Sequence, residues 1–463
     1  MYIEQIYTHC LSQASYYIES GEFAAIIDPI RDVTEYLQIS QKRGTSIKYI
    51  FETHFHADFV SGHLDLAKQT GAEIVFGPGA NAAYKIHEAV DGEEIKVGNI
   101  ILKVLHTPGH TLESCCYLLL DENQNPHSVF TGDTLFVGDV GRPDLSANAE
   151  RTVIQLTGML YDSIESKLKS LPNYVVLYPG HGAGSACGKS IGAERYSTIG
   201  LQKTSNYALK AKSKDDFIKQ VTDGLTNPPA YFYVNSLINR NGYLSLEEVL
   251  QKNVVPISIH QFKKIFQHKN TLVLDTRHAE IFKEGFIPNS INIGIEGSFE
   301  TVAGSIIHPD DSIILVCEAG MEREIILRLA QIGLEKITGY LEGGFNGWKK
   351  DGGLIQNIES ISSEDFESRF RYNSCTLIDV RNQDEWIPGF VAGAKLISIS
   401  NLENKLSEID RDKQCFLYCA SGYRSMVAAS LLKRHGFSKV ININGGITTL
   451  RNTKIQMRQL TTT

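Results

Sequence analysis

Residues of the types that bind metal ions follow four short apolar runs, each of which predicts a β-strand. The runs are residues 47–51, 100–105, 128–130 and 174–177. The polar residues that follow them are His54, His56, Asp58, His110, Asp133 and His181. Polar side chains at strand ends gather at the rim of a sheet, where loops converge on a rigid backbone. The sequence therefore predicts a metal site at such a rim.

Phe59 follows the first group of these residues but carries no ligand atom. A site for two metal ions would need a histidine at this position. The phenyl ring therefore favours one metal ion over two, although Asp58, Asp133 and His181 could still hold a second ion weakly.

Size and composition predict a multidomain protein of ordinary globular type. The chain has 463 residues, 42% of them hydrophobic and 21% charged, which predicts about two to four domains. A net charge of −8 argues against nucleic acid or an anionic membrane as the main partner. No apolar run reaches the roughly 20 residues of a membrane span, and the amino terminus lacks the basic start of a signal peptide. The eight cysteines are scattered, so we expect a reducing, cytoplasmic environment.

The second half of the chain contains an internal repeat with a period of roughly 100 residues. Residues 274–277 recur as residues 378–381, and the apolar run that ends at Cys317 recurs as the run that ends at Cys419. Each copy alternates strands, loops and a helix. This pattern predicts two small α/β domains with mostly parallel sheets.

The second copy contains a loop at residues 419–425 between an apolar strand and a helix. Such a loop points several backbone N–H groups at one spot, and the helix amino terminus adds partial positive charge. This field favours a thiolate, so Cys419 should be nucleophilic near neutral pH. Arg424 adds a cation for an oxyanion such as thiosulfate or sulfite. The alternative is a buried cysteine at the end of a strand.

The corresponding loop of the first copy begins at Cys317 and has Glu322 in the place of Arg424. An anion there opposes both thiolate formation and oxyanion binding, which predicts a degenerate copy with a structural role. A second alignment lengthens the loop by one residue and lets Arg323 bind the oxyanion, at the Cys-x5-Arg length of some phosphatases.

The order and spacing of the metal-type residues resemble the metallo-β-lactamase superfamily. Its signature is His-x-His-x-Asp-His followed by a later His, Asp and His, and only the sixth residue, Phe59, departs from it here. Residues 106–111, 131–136 and 141–144 resemble the persulfide dioxygenase branch in particular. The resemblance implies two sheets sandwiched between helices over residues 1–250.

The repeat resembles two rhodanese domains, at residues 258–353 and 361–452. The loop of Cys419 matches the rhodanese pattern Cys-x-x-Gly-x-Arg, which implies a sulfurtransferase whose Cys419 cycles between thiol and persulfide beside Arg424. The expected fold class is α/β. An amino-terminal αββα metallo-β-lactamase fold precedes two α/β rhodanese-like domains, the first of them degenerate.

The persulfide dioxygenase resemblance assigns one iron(II) per chain to His54, His110 and Asp133. Two histidines and one carboxylate on one face of iron leave open positions for substrate and O2. The implied reaction oxidises the terminal sulfur of a low-molecular-weight thiol persulfide to sulfite. The residues then left to orient ligands or handle protons are His56, Asp58 and His181.

Two other classes of function stay open. In the first, His54, His56 and His110 hold zinc, and its bound water attacks a thioester, as in a glyoxalase II-like hydrolase. In the second, the protein binds or senses persulfides without catalysis. O2 consumption separates the dioxygenase from both, and thioester turnover separates the hydrolase from the sensor.

Two further residues have open roles. Arg142 either contacts an anionic group of the substrate or pairs with Asp144. Cys187 either relays sulfur, senses redox state or is a half-buried spectator. No motif specifies the carrier thiol, and a homo-oligomer is expected from the family resemblance alone.

The two chemistries fit together on one chain. Sulfite made at the iron would accept the sulfane sulfur of a Cys419 persulfide and give thiosulfate. The reverse direction, in which thiosulfate and a thiol regenerate persulfide, is equally compatible with the sequence.

Overall fold

The computed structural model describes residues 1–147, 151–225, 227–266, 268, 270–371 and 374–460, which include every predicted site residue. The chain divides into two compact units. Met1–Val249 with Ala330–Gly333 form the first unit, and Leu250–Leu329 with Leu334–Thr463 form the second. Among the described residues, no helix is long and apolar enough to cross a membrane.

The described part of the first unit contains two six-stranded sheets. Its strands are β1 (Tyr2–Thr8), β2 (Gln13–Ser20), β3 (Phe23–Ile27), β4 (Ser46–Phe51), β5 (Glu73–Phe76), β6 (His87–Glu88), β7 (Glu94–Val97), β8 (Ile100–His106), β9 (Cys115–Leu120), β10 (Pro126–Gly132), β11 (Val176–Pro179) and β12 (Ser197–Thr198). One sheet has the order β1-β2-β3-β4-β5-β6, and the other has the order β12-β11-β10-β9-β8-β7.

Helices accompany these strands along the chain. They are α1 (Thr34–Arg43), α2 (His63–Thr70), α3 (Val153–Ser163), α4 (Ile199–Ser205), α5 (Lys214–Thr222), α6 (Ala230–Asn241) and α7 (Leu246–Asn253), with a π-helical turn at Ile164–Leu168. Helix α2 ends at Gly71, whose φ of 74° is the left-handed conformation that glycine adopts without strain.

Apolar packing arranges the first unit in four layers. Phe51 and Phe130 belong to opposite sheets and share one buried core between them. Tyr36 and Leu66, on α1 and α2, pack on the outer face of the first sheet. Leu160, on α3, packs on the outer face of the second. The helix–sheet–sheet–helix order confirms the predicted αββα fold.

The four apolar runs that precede the metal-type residues all contribute to strands, namely β4, β8, β10 and β11. Strand β11 begins two residues later than predicted. The reason is a turn in which the Val175 N–H donates to the Pro172 carbonyl (3.1 Å). The polar residues that follow these strands therefore lie in loops at one rim of the sandwich.

The described part of the second unit contains two five-stranded sheets, one for each copy of the repeat, and a two-stranded one. Its strands are β13 (Pro256–Ile257), β14 (Thr271–Asp275), β15 (Ser290–Asn292), β16 (Ser312–Val316), β17 (Ile337–Leu341), β18 (Glu359–Ile361), β19 (Cys375–Asp379), β20 (Phe390–Val391), β21 (Lys395–Leu396), β22 (Gln414–Tyr418), β23 (Val440–Ile443) and β24 (Met457–Arg458). The five-stranded orders are β13-β17-β16-β14-β15 and β18-β23-β22-β19-β21. Strand pairs within both are parallel, as predicted.

The helices of the second unit connect these parallel strands. They are α8 (Ile259–Ile265), α9 (Ala279–Glu284), α10 (Phe299–Ile306), α11 (Glu322–Gln331), α12 (Gly344–Lys350), α13 (Ser363–Arg369), α14 (Gln383–Trp386), α15 (Tyr423–Arg434) and α16 (Gly446–Leu450), with 3₁₀ turns at Ile399–Asn401 and Glu403–Glu408. The central strands β16 and β22 are almost entirely buried. Cys317 and Cys419 follow their carboxyl ends, where parallel α/β sheets bind ligands.

The repeated Asp-x-Arg sequence explains why the two copies fold alike. In the first copy, Arg277 pairs with Asp275 (2.6 Å) and also donates to the carbonyl of the glycine eight residues further on (3.0 Å). In the second copy, Arg381 makes the same two contacts, at 2.7 Å to Asp379 and at 2.8 Å to the corresponding carbonyl. Each buried pair thus holds the loop that follows β14 or β19.

Candidate metal centre and sulfur-transfer loop

Three of the predicted ligands meet at the rim of the first unit. Single ligand atoms of His54, His110 and Asp133 lie within 4.8 Å of one another, and all three residues are buried. Asp133 Oδ2 is 3.9 Å from His54 Nε2 and 3.6 Å from His110 Nε2. This oxygen has no hydrogen-bond partner among the described residues, which is costly for a buried carboxylate. A cation between the three side chains would satisfy it, so these residues fit a metal ion.

Hydrogen bonds fix both histidines with Nε2 facing Asp133. His110 Nδ1 lies 2.8 Å from the Arg142 carbonyl and therefore donates to it. His54 Nδ1 lies 3.0 Å from Thr53 Oγ1, which itself donates to Asp28 Oδ2 at 2.9 Å. Burial and the charge of His56 hold the pKa of His54 well below its usual range. His54 thus presents a neutral Nε2, the form that binds metals, and His110 is held with its Nε2 on the same side.

Asp28 is a site residue that sequence reasoning missed. Besides the Thr53 hydroxyl it accepts the Thr53 backbone N–H at 2.7 Å, so it fixes the residue that orients His54. Its φ of 50° is the left-handed region, where a residue other than glycine is strained. The signal was present, because Asp28 follows β3 directly, just as the predicted ligands follow their strands.

His56 does not join the three ligands. Its Nε2 lies 3.1 Å from Asp28 Oδ1 and 3.3 Å from Glu52 Oε2. Burial alone would lower the pKa of His56, but the two carboxylates raise it well above its usual range. The Phe59 ring lies 4.4 Å from the imidazole ring, centroid to centroid. His56 therefore forms a buried ion-pair cluster behind the site.

His181 connects Asp58 to Asp133. Its Nδ1 is 2.8 Å from Asp133 Oδ1, and its Nε2 is 2.8 Å from Asp58 Oδ2. Burial opposes protonation, but the charges of Asp133 and Asp58 raise the pKa of His181 to about 10. This geometry orients the Asp133 carboxylate so that Oδ2 faces His54 and His110.

Arg142 and Cys187 lie beside these ligands. Arg142 makes a two-pronged ion pair with Asp144, at 2.7 and 2.8 Å. Cys187 is fully buried, so the prediction of a half-buried residue was wrong. Burial and then the charges of Asp58 and Asp133 raise the pKa of its thiol well above the usual range.

In the second unit, the loop of Cys419 lies between β22 and α15, which is the predicted place between a strand and a helix. The Gly422 N–H donates to Cys419 Sγ at 3.1 Å, and α15 begins at the next residue. Gly422 has φ 113°, which a side chain would strain. Arg424 lies in the first turn of α15 and makes a two-pronged ion pair with Glu385, at 2.6 and 2.7 Å. An oxyanion would therefore compete with Glu385 for this guanidinium.

In the loop that begins at Cys317, the side chain of Glu322 binds a backbone N–H group of the same loop. Glu322 Oε2 accepts the Gly320 N–H at 2.9 Å, which occupies a backbone group that could otherwise bind an oxyanion. Burial, followed by the charge of Glu322, raises the pKa of Cys317 to about 12. Arg323 is exposed. The geometry therefore fits the degenerate alternative better than the phosphatase-length loop.

Removing the Glu322 charge should make Cys317 more acidic. In a Cys419→Ser background, we expect Glu322→Gln to lower the pKa of Cys317 by roughly one unit, because a like charge nearby disfavours the thiolate. The measurement is the pH dependence of alkylation of Cys317 by iodoacetamide. Glu318→Gln is the matched control, since the Glu318 charge affects this pKa less. The prediction would be contradicted if the Cys419→Ser parent and its Glu322→Gln and Glu318→Gln variants showed the same pH dependence of alkylation.

Comparison with known proteins shows the family of this chain. The Metallo-beta-lactamase superfamily profile matches residues 10–181, and the Rhodanese-like domain profile matches residues 258–351 and 362–453. A metallo-beta-lactamase from Staphylococcus aureus subsp. aureus COL, known from its crystal structure, is 36% identical in sequence to this chain. The TM-score between the two structures is 0.65. The similarity covers 74% of this chain and 98% of that one. The chain belongs to the metallo-beta-lactamase superfamily and carries two rhodanese-like domains.

Curated relatives of this chain include two kinds of protein. The mitochondrial persulfide dioxygenase ETHE1 of Bos taurus is 31% identical over 215 residues, which are 45% of this chain and 74% of the relative. A probable hydroxyacylglutathione hydrolase of Schizosaccharomyces pombe is 35% identical over 167 residues, or 35% of this chain. The chain spans 60% of that hydrolase's length. Similarity alone therefore does not choose between oxidation and hydrolysis.

Proposed function

We propose that this protein oxidises a low-molecular-weight persulfide to sulfite with O2 at one iron(II), and that Cys419 transfers a sulfane sulfur to the sulfite. The observation that supports the first half is the ligand set. His54, His110 and Asp133 converge, and two histidines with one carboxylate are typical of non-haem iron(II) oxygenases. A three-histidine zinc site would need His56, which is paired with Asp28.

Bound iron would supply the redox chemistry and hold persulfide and O2 side by side. In the balanced reaction, a persulfide, O2 and water give a thiol, sulfite and two protons. The protein's own contribution is orientation. Thr53 and the Arg142 carbonyl fix the two imidazoles, while His181 fixes the Asp133 carboxylate.

The sulfur-transfer half uses the loop of the second rhodanese-like domain. The Cys419 thiolate attacks the sulfane sulfur of a persulfide, breaks its S–S bond and releases the carrier thiol. Sulfite then attacks the outer sulfur of the Cys419 persulfide, which gives thiosulfate and restores the thiolate. The Gly422 N–H stabilises the anionic sulfur before and after the transfer.

Metal content and O2 uptake test the first half together. Protein purified without oxygen should contain about one iron per chain, and addition of glutathione persulfide should start rapid O2 consumption. Two zinc ions per chain, no O2 uptake and turnover of a glutathione thioester would overturn the proposal in favour of a hydrolase. Persulfide binding without either reaction would leave the sensor as the better explanation.

A further inference from the structure

The loop of residues 54–61, which carries His54 and is called the metal loop below, is held by two segments that come much later in the chain. The Metallo-beta-lactamase superfamily profile ends at residue 181, before both of them. One segment is α6, and the other is the end of α11 with the turn at residues 330–333. Residues 330–333 belong to the first compact unit, although the Rhodanese-like domain profile includes them. Their contacts with the metal loop are therefore contacts within one unit.

A single amide side chain on α6 binds the backbone of the metal loop at three places. Asn239 Nδ2 donates to the carbonyls of His56 and Phe59, at 2.8 Å each. Asn239 Oδ1 accepts the Ser61 N–H at 2.9 Å. All four residues are buried, and a buried backbone group without a partner costs folding free energy. Asn239 thus fixes the backbone on both sides of Asp58.

The end of α11 binds the same loop through a main-chain carbonyl. The last carbonyl groups of an α-helix have no partner within the helix, and the Gln331 carbonyl accepts the Val60 N–H at 2.7 Å. Gly333 follows with φ 73°, the left-handed conformation that glycine adopts without strain. The turn that this glycine allows directs the chain away from the helix axis and leaves the Gln331 carbonyl to the metal loop.

The two segments also pack against each other. A Cβ atom at Gly333 would lie 2.3 Å from Asn235 Oδ1 and 3.0 Å from Ile238 Cδ1, so no side chain fits between the turn and α6. Asn235 lies about one helical turn before Asn239. This close packing holds Asn239 and the Gln331 carbonyl in a fixed relation to each other.

We propose that Asn239 and the turn at residues 330–333 position the metal loop, so that the first rhodanese-like copy is a working part of the metal centre. The cysteine loop of this copy is degenerate, since Glu322 occupies one of its backbone N–H groups. Support of the metal loop gives the copy a function that does not depend on sulfur transfer. The inference rests on the proposed function only through His54, a ligand that the iron set and the zinc set share.

Metal affinity and amide hydrogen exchange of the full-length protein, stripped of metal, test this role. Asn239→Ala should weaken Co2+ binding by roughly 10–100-fold, the cost typical of losing an outer partner of a metal ligand. It should also speed exchange of the Val60 amide by about 10-fold or more, although the acceptor of that amide is unchanged. Gly333→Ala displaces the turn and should weaken Co2+ binding to a similar extent. It should speed exchange of the Ser61 amide, which is bound to Asn239.

Two matched controls separate this role from a general loss of stability. Asn235→Ala removes the same kind of side chain from α6, but neither amide atom of Asn235 has a hydrogen-bond partner among the described residues. Gly352→Ala introduces similar backbone strain in the same copy, because Gly352 has φ 72°, but its Cβ would meet no atom within 4 Å. Both controls should keep the wild-type Co2+ affinity and the wild-type exchange of the Val60 and Ser61 amides.

Affinities are compared at a temperature at which circular dichroism shows each variant to be folded, so that a loss of stability alone does not change them. The proposal is overturned if Asn239→Ala or Gly333→Ala binds Co2+ like its control, or if the reporting amide exchanges at the wild-type rate. If one of these two variants does not fold, the other decides. Neither measurement involves persulfide or O2, so the dioxygenase and the support of the metal loop can each fail without the other.

Discussion

Replacing His110 by alanine should remove the bound iron and reduce persulfide-dependent O2 uptake by more than ~100-fold. The change deletes one of three converging ligands, and loss of an outer-sphere partner alone already costs roughly 10–100-fold in affinity or activity. The remaining pair, His54 and Asp133, cannot hold iron(II) at micromolar metal concentrations. The measurements are iron content by elemental analysis and the initial rate of O2 consumption.

His56 is the matched control, because it belongs to the same motif but its Nε2 pairs with Asp28 and Glu52. His56→Gln should keep about one iron per chain and most of the O2 uptake. It should instead lower the free energy of unfolding, by about 3–5 kcal/mol, since Asp28 and Glu52 lose their buried cation. Urea denaturation of the metal-free protein measures this loss.

The comparison of the two variants distinguishes the two candidate ligand sets. If His56→Gln also loses its metal while its secondary structure is retained, the three-histidine set is correct and the iron assignment fails. If His110→Ala retains iron, neither set is correct. Thioester hydrolysis by the wild-type protein would then be the next activity to measure.

Local sequence signals predicted the framework of this protein well. The strands expected at residues 47–51 and 100–105 are β4 and β8, each one residue longer than predicted. Such elements follow from short apolar runs, a signal that acts over a few residues. The same reasoning placed the metal-type residues at one rim, because strand ends meet there.

Orientation could not be predicted, because it depends on partners far away in the sequence. The direction of His56 is set by Asp28, 28 positions earlier, through a buried ion pair. The engagement of Arg424 depends on Glu385, 39 positions earlier. A motif records that a charged residue is present but not which neighbour neutralises it. For that reason the sequence did not choose between an iron site of His54, His110 and Asp133 and a zinc site of His54, His56 and His110.

Cys187 shows the same limit for a residue outside any motif. From the sequence, its role stayed open between sulfur relay, redox sensing and a half-buried spectator. Only the folded loop brings its sulfur to Asp58, which lies in a different loop of the same rim. The folded structure therefore shows that Cys187 is buried beside Asp58, which its residue type and spacing did not predict.

Replacing Cys419 by serine should change the product of persulfide oxidation from thiosulfate to sulfite, while O2 uptake continues at the wild-type rate. Serine fills nearly the same space and can accept a hydrogen bond from the Gly422 N–H, so the loop should keep its conformation. A hydroxyl group, however, cannot carry a sulfane sulfur. Thiosulfate should fall to the level of the uncatalysed reaction between persulfide and sulfite. Separation and quantification of both anions, alongside O2 consumption, measure the change.

Cys317→Ser provides the contrast within the same repeat. The Cys317 loop is closed by Glu322, and its thiol has a pKa of about 12, so this variant should retain wild-type thiosulfate output. Unchanged thiosulfate in Cys419→Ser, after subtraction of the uncatalysed reaction, would disprove the coupling. If Cys317→Ser loses thiosulfate output instead, the sulfur carrier is Cys317 in the first copy of the repeat. Because both variants keep the iron ligands, a change in product with constant O2 uptake can only arise after the oxidation step.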